Sequence, residues 1–132
     1  MSLKRGMAFG VFDGLHEGHK YFLSEALKLC DELVVVVTPD EAVATLKGHL
    51  PQQRYKERVV AITAFNPILK VVEGDLALGE WTVLKNHKPD NVMLGYDQEK
   101  LMREIRLLNI PYKLIPPHKP DIYKSSLLKT GG

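Results

Sequence analysis

Two histidines three residues apart, His16 and His19, stand in the segment Gly10-Val11-Phe12-Asp13-Gly14-Leu15-His16-Glu17-Gly18-His19. An imidazole donates a hydrogen bond and can carry a proton near neutral pH. A pair facing one anion can therefore bind phosphate and stabilise charge that builds on it during a reaction. The surrounding residues read as the end of a strand, Met7 to Phe12, then a glycine-bearing turn, then a helix from about Gly18. A helix N-terminus offers N–H groups and partial positive charge to an anion. Gly18 has no side chain, so a phosphate can approach the backbone there. Other chemistries fit less well. The Gly-x-Gly-x-x-Gly fingerprint and the Walker A loop are absent, and the histidine spacing is one residue short of the zinc-protease His-Glu-x-x-His. Two histidines three apart can share a metal, but no third ligand is evident. A zinc-dependent hydrolase stays open as an alternative, as does a plain capped helix start with two ordinary polar residues.

The elements that must hold this pair alternate between apolar runs and amphipathic stretches. After the helix Gly18 to Leu29, Leu33 to Thr38 is β-branched with no polar alternation, as in a central parallel strand covered on both faces. Thr38-Pro39-Asp40-Glu41 reads as a helix start, with Thr38 as cap, Pro39 at the first helical position and Glu41 completing a capping box. That helix ends near Gly48. Gln52 to Phe65 is a further helix stopped by Asn66-Pro67, Ile68 to Val72 a third strand, Glu80 to His87 a helix and Asn91 to Leu94 a fourth strand. Glu99 to Leu108 is helical, Tyr112 to Ile115 is a fifth strand, and a short helix opens near Ser125. The expectation is a single α/β domain over residues 1–132: a Rossmann-like, doubly wound, five-stranded parallel sheet with helices on both faces. Ligands of such sheets bind beyond the carboxyl ends of the strands, where strand order reverses.

Composition narrows the classes. The chain has 132 residues, 45% hydrophobic and 26% charged, the balance of a globular domain. Eighteen basic against 16 acidic residues leave a net charge of +2, too small to argue for nucleic-acid binding. The longest aliphatic run, Leu33 to Val37, is far short of a membrane span. The N-terminal Met-Ser-Leu-Lys-Arg lacks the apolar core of a secretion signal and Cys30 has no partner, so a cytoplasmic location is expected. Cys30 reads as a packing residue and Trp81 as a helix anchor. His49, His87 and His118 read as solvated.

The decapeptide Gly-Val-Phe-Asp-Gly-Leu-His-Glu-Gly-His resembles the signature of the cytidylyltransferase-like (HxGH) nucleotidyltransferases. That superfamily includes archaeal FAD synthases, glycerol-3-phosphate cytidylyltransferases and the nucleotidyltransferase half of ADP-heptose synthases. The resemblance runs from Met7 to about Lys129. It implies transfer of AMP or CMP from an NTP to a phosphorylated acceptor, with Mg2+ accompanying the NTP and pyrophosphate released. It maps catalytic roles onto His16, His19 and Lys47, the last within Leu46-Lys47-Gly48. It maps nucleotide contacts onto Gly10, Val11, Phe12, Gly18, Arg58, Gly95, Asp97, Ser125 and Ser126. By residue chemistry alone, Lys47 is equally a solvated helix-end lysine, Arg58 a surface residue of a basic cluster, Asp13 a turn stabiliser, and Asp97 or Ser125 a helix cap. Leu46-Lys47-Gly48 and Leu94-Gly95-Tyr96-Asp97-Gln98 favour an FAD synthase-like reaction with FMN as acceptor. A sugar- or polyol-phosphate acceptor, as in envelope or lipopolysaccharide precursor synthesis, and a non-catalytic nucleotide-binding module are the alternatives. The resemblance also implies a homodimer. Val11 stands where relatives often have threonine, and Leu127 and Lys129 depart from the final motif.

Overall fold

The computed structural model describes residues 4–76 and 80–117. Five strands form one parallel sheet: β1 (Arg5–Gly10), β2 (Glu32–Val37), β3 (Lys70–Glu73), β4 (Asn91–Gly95) and β5 (Tyr112–Ile115). Their spatial order is β3-β2-β1-β4-β5. The chain steps outward twice from β1, returns past it, and steps outward again on the other side. The helices are α1 (Glu17–Lys28), α2 (Asp40–Lys47), α3 (Tyr55–Phe65), α4 (Thr82–His87) and α5 (Glu99–Leu107). The doubly wound α/β expectation is met.

Two apolar cores follow from strand alternation. Ala8, Leu33, Val35, Val37 and Met93 face α1 and α3 through Leu23, Ala26 and Ile62. Met7, Val34, Val36, Val92 and Leu94 face α4 and α5 through Val83, Leu84 and Ile105. Successive residues of one strand point to opposite faces, so a strand buried on both sides reads as the unbroken apolar run Leu33 to Val37. Cys30 packs beneath this sheet as expected, with Sγ donating to Ala26 O at 3.4 Å. Trp81 stands at the N-cap of α4 and meets the Phe9 ring edge-on, centroids 5.9 Å apart. No helix among the described residues is long and apolar enough to cross a membrane.

Several boundaries differ from the sequence expectation, each because a tertiary bond claims the residue. The helix expected from Gln52 begins at Tyr55, because the N–H groups of Gln52 and Gln53 donate to the Asp13 carboxylate at 2.8 and 2.9 Å. Thr38 does not cap α2: its hydroxyl and N–H both donate to Gly10 O, at 3.2 and 3.0 Å. Pro39 is the N-cap residue instead, with no side-chain cap. The third strand is shifted to Lys70–Glu73 by its pairing Val34↔Lys70 through Val37↔Glu73. The helix expected from Glu80 starts at Thr82, and β4 runs on to Gly95. The helix expected near Ser125 lies outside the described residues.

Arg58 departs most from expectation. It is fully buried, although its neighbours Arg54 and Lys56 suggested a basic surface cluster. Its guanidinium donates to Asp40 Oδ1 at 2.7 Å, to the carbonyls of Val11 and Thr38 at 2.8 Å each, and to Gln53 O at 3.1 Å. Arginine's fixed fork of donors suits a site where four acceptors converge. A side chain so enclosed has no face for a pyrophosphate, so Arg58 is the pin that joins the ends of β1 and β2 to the entrance of α3. Replacing it leaves Asp40 and three carbonyls without their cation. Arg58→Ala is expected to lower stability by about 3–5 kcal/mol, read as a shift in the urea midpoint. Asp40→Asn, which keeps an acceptor, should cost less. An Arg58→Ala midpoint within error of wild type would refute this role.

Candidate active site

At the reversal of strand order, beyond the carboxyl ends of β1 and β4, lies a cavity of about 540 Å³. Of the residues singled out in the sequence, His16, His19, Lys47, Gly10, Val11, Phe12, Gly18, Gly95 and Asp97 line it. Ser125 and Ser126 lie outside the described residues. Asp13 of the histidine motif and Tyr96 and Gln98 of the loop motif line it too, and the structure adds Phe9, Tyr21, Phe22, Ile115, Pro116 and Pro117. The only sequence signal for these was position: each stands at a strand end or in the helix that follows one.

The wall under the histidines is built by two residues of the signature. Phe12 adopts a left-handed backbone, φ 54°, which is costly for a bulky residue. Its ring folds back over Gly10, where a Cβ would sit 2.7 Å from ring carbons. Only glycine permits that approach. The ring is 4% exposed and meets His19 edge-on at 5.4 Å. Phe12, expected to contact nucleotide, thus acts through its ring mainly as the floor for His19.

His16 and His19 close a reciprocal cap. His16 is the N-cap of α1, and its Nδ1 accepts from Gly18 N at 3.1 Å and His19 N at 3.4 Å. His19 Nδ1 accepts in turn from His16 N at 3.3 Å. These N–H groups were expected to face an anion, so this is a correction: they are engaged by the ring nitrogens. The consequence is chemical. A neutral imidazole whose Nδ1 accepts must hold its proton on Nε2. Both rings therefore offer an Nε2–H donor. They stack with centroids 3.7 Å apart and planes 20° from parallel.

Asp13 is not a ligand group here: both its oxygens are held by Gln52 and Gln53 N–H, which keeps its carboxyl below the usual range. Gly14 N donates in turn to Gln53 Oε1 at 3.1 Å. The turn that carries His16 is thereby tied to the segment between Lys47 and α3. Lys47 itself is exposed at the last residue of α2, before Gly48 in the left-handed region at φ 81°. Asp97 is no cap for α5, whose N-cap is Gln98.

Burial pushes the His19 imidazole down to about 4, His16 and Lys47 push the same way, and the Asp97 carboxylate opposes them. His19 is then neutral near pH 7. Its folded value lies below the ordinary 6.5, so between about pH 6.5 and pH 4 the unfolded chain binds more protons. Stability is therefore lost as pH falls through that window. Because the ring is partly open to solvent, which screens the effect, wild type should lose roughly 1–2 kcal/mol more than His19→Asn across it, measured by urea unfolding at a series of pH values. Parallel curves for the two chains would show that the ring is not held in this way.

Comparison with known proteins bears on the same residues. A sequence model of the Cytidylyltransferase-like family matches residues 7–127. The FAD synthase of Thermococcus sibiricus is 38% identical over 125 residues, 92% of this chain and 83% of that protein. The FAD synthase of Thermoplasma volcanium is 40% identical over 124 residues, 89% of this chain and 84% of that protein. Among solved structures, a lipopolysaccharide core biosynthesis protein from Thermoplasma volcanium GSS1 superposes with a TM-score of 0.72 at 35% identity, covering 89% of this chain and 98% of that one. The strand-end cavity and its stacked histidine pair thus lie inside a match that takes in nearly all of the sequence, and the chain belongs to the cytidylyltransferase-like family of nucleotidyltransferases.

Proposed function

We propose that this nucleotidyltransferase makes FAD by transferring AMP from ATP to the phosphate of FMN; CMP transfer from CTP would give the cytidine analogue of FAD instead. The observation that carries the reaction type is the pair of stacked, Nε2-protonated imidazoles over a cavity flanked by Lys47. The similarity to archaeal FAD synthases over most of the chain supports FMN as acceptor.

An FMN phosphate oxygen attacks the α-phosphorus, a new P–O bond forms, the bond to the β-phosphate oxygen breaks, and pyrophosphate leaves. The acceptor is already anionic near neutral pH, so no strong base is required and catalysis rests on positioning and charge stabilisation. The Nε2–H groups of His16 and His19 donate to the phosphate oxygens as charge builds. Lys47, a compact cation on a flexible stem, holds the leaving pyrophosphate. Mg2+ accompanying the triphosphate would neutralise charge on its phosphate oxygens. Among the described residues two carboxylates line the cavity, and Asp13 is engaged by backbone N–H groups, which leaves Asp97 as the one that would hold the ion. One protein carboxylate with several phosphate oxygens suits Mg2+, which is usually held in this way in nucleotide sites.

Pyrophosphate release is the test, with Mg-ATP or Mg-CTP against FMN, glycerol 3-phosphate and heptose 1-phosphate. Turnover is expected with FMN. Turnover with only a sugar or polyol phosphate would replace FMN by the second acceptor class, which the lipopolysaccharide core biosynthesis protein favours as a structural neighbour. His16→Ala and His19→Ala should each lower kcat by roughly 100- to 1000-fold with an unchanged circular dichroism spectrum. Lys47→Ala should act mainly on the KM for NTP, raising it by roughly tenfold, the loss of one charge-assisted contact. Retained turnover in both histidine variants would remove them from the mechanism.

A further inference from the structure

Where the β1–β4 ladder stops, the next pair of backbone groups is in line but does not meet. Asp90 N donates to Arg5 O, so the odd-numbered carbonyls of β1 face β4. Val92 N donates to Pro111 O, so the even-numbered N–H groups of β4 face β5 and the odd-numbered ones face β1. The last pair of the ladder is Ala8↔Met93. The following rung would therefore run from Gly95 N–H to Phe9 O. The Gln98 carboxamide occupies it instead: Gly95 N donates to Gln98 Oε1 at 2.9 Å, and Gln98 Nε2 donates to Phe9 O at 2.8 Å. On their outer sides the two strands stay paired to the same level, Gly10↔Val37 and Gly95↔Ile115. The divergence is thus confined to the gap between β1 and β4, where the cavity opens.

Gln98 is also the N-cap residue of α5, yet its side chain makes no capping bond there. It reaches back to the strands. A primary amide suits the place because it carries one acceptor and donors on a single planar group. A carboxylate has no donor, and an aliphatic side chain would leave both backbone groups unmet or let them zip together.

We infer that Gln98 is a positioning residue for nucleotidyl transfer: its carboxamide is a rigid spacer that sets the separation of β1 and β4 and so the width of the crevice that takes the nucleotide. This rests on the reading of the crevice as the NTP site. The spacer acts through Phe9-Gly10 on one wall and Gly95 on the other, and touches no reacting atom itself.

Gln98→Glu is the discriminating variant. Ionised, the new carboxylate still accepts from Gly95 but turns a lone pair on Phe9 O; protonated, it donates an O–H and restores the bridge. Wild type, Gln98→Glu and Gln98→Leu would be compared for the KM and Kd of Mg-ATP and Mg-CTP from pH 5 to pH 8. Gln98→Glu is expected to weaken nucleotide binding by about tenfold at the alkaline end, with the deficit relative to wild type closing as pH falls. Gln98→Leu is expected to be weakened at every pH. A deficit in Gln98→Glu that does not change with pH, or Gln98→Leu binding like wild type, overturns the inference. Hydrogen exchange at the Gly95 amide gives a readout without nucleotide. In Gln98→Leu it should change by tenfold or more, faster if the rung is left open and slower if it zips shut. If wild type binds no nucleotide, the reading of the site fails, and an unchanged Gly95 exchange rate would separately reject the spacer.

Discussion

The unequal length of the two ladders on β1 is the constraint on which the rest of the structure depends. With β2 the strand is paired through Gly10; with β4 the pairing ends at Ala8. A doubly wound sheet must place its return crossover on the opposite face from the first two, so the loops leaving β1 and β4 diverge to different sides. In the crevice between them, backbone groups at the ends of two central strands are not consumed by a neighbouring strand. The histidine turn leaves from one lip of this crevice, and Gly95 to Gln98 form the other.

Such a crevice is useful only if its lips are held still, and the structure does this with polar bonds rather than apolar packing. Loops at strand ends have little apolar surface to bury, so position comes from hydrogen-bonded groups. Arg58 gathers carbonyls from three segments, and Asp13 gathers two N–H groups from one of the same three, at Gln52 and Gln53. A buried cation with its acceptors satisfied contributes modestly to net stability, but its loss is severe because the partners stay behind without compensation. The same bonds connect the histidine turn to the segment that follows Lys47, which keeps two otherwise separate groups of the cavity lining in one frame.

The stacked imidazoles give the cavity two hydrogen-bond donors of fixed direction. Reciprocal capping fixes the tautomers, and stacking at 3.7 Å disfavours a proton on both rings at once. Burial of His19 against the Phe12 floor works in the same direction. Near neutral pH the His19 ring is then a directed dipole, which costs no reorganisation when charge develops nearby.

The sequence by itself determined the strand-and-helix order, the parallel sheet, the carboxyl-end location of the site and the residues His16, His19 and Lys47 on its rim. These follow from local patterns: the apolar run Leu33 to Val37, the breaks at Asn66-Pro67 and Lys88-Pro89, and a signature whose members lie within ten residues. The direction of the Arg58 side chain was not legible, because its acceptors come from residues 11, 38, 40 and 53, and no spacing encodes that convergence. The start of α3 was hidden for the same reason, since Asp13 takes the two N–H groups that helical propensity alone would have left inside the helix. Gln98 read as one residue of a loop motif, and only the meeting of β1 with β4 gave its amide a place. Tertiary structure decided these points because a side chain's hydrogen bonds are set by which groups the fold brings within reach, whereas periodicity reports only which face of an element avoids water.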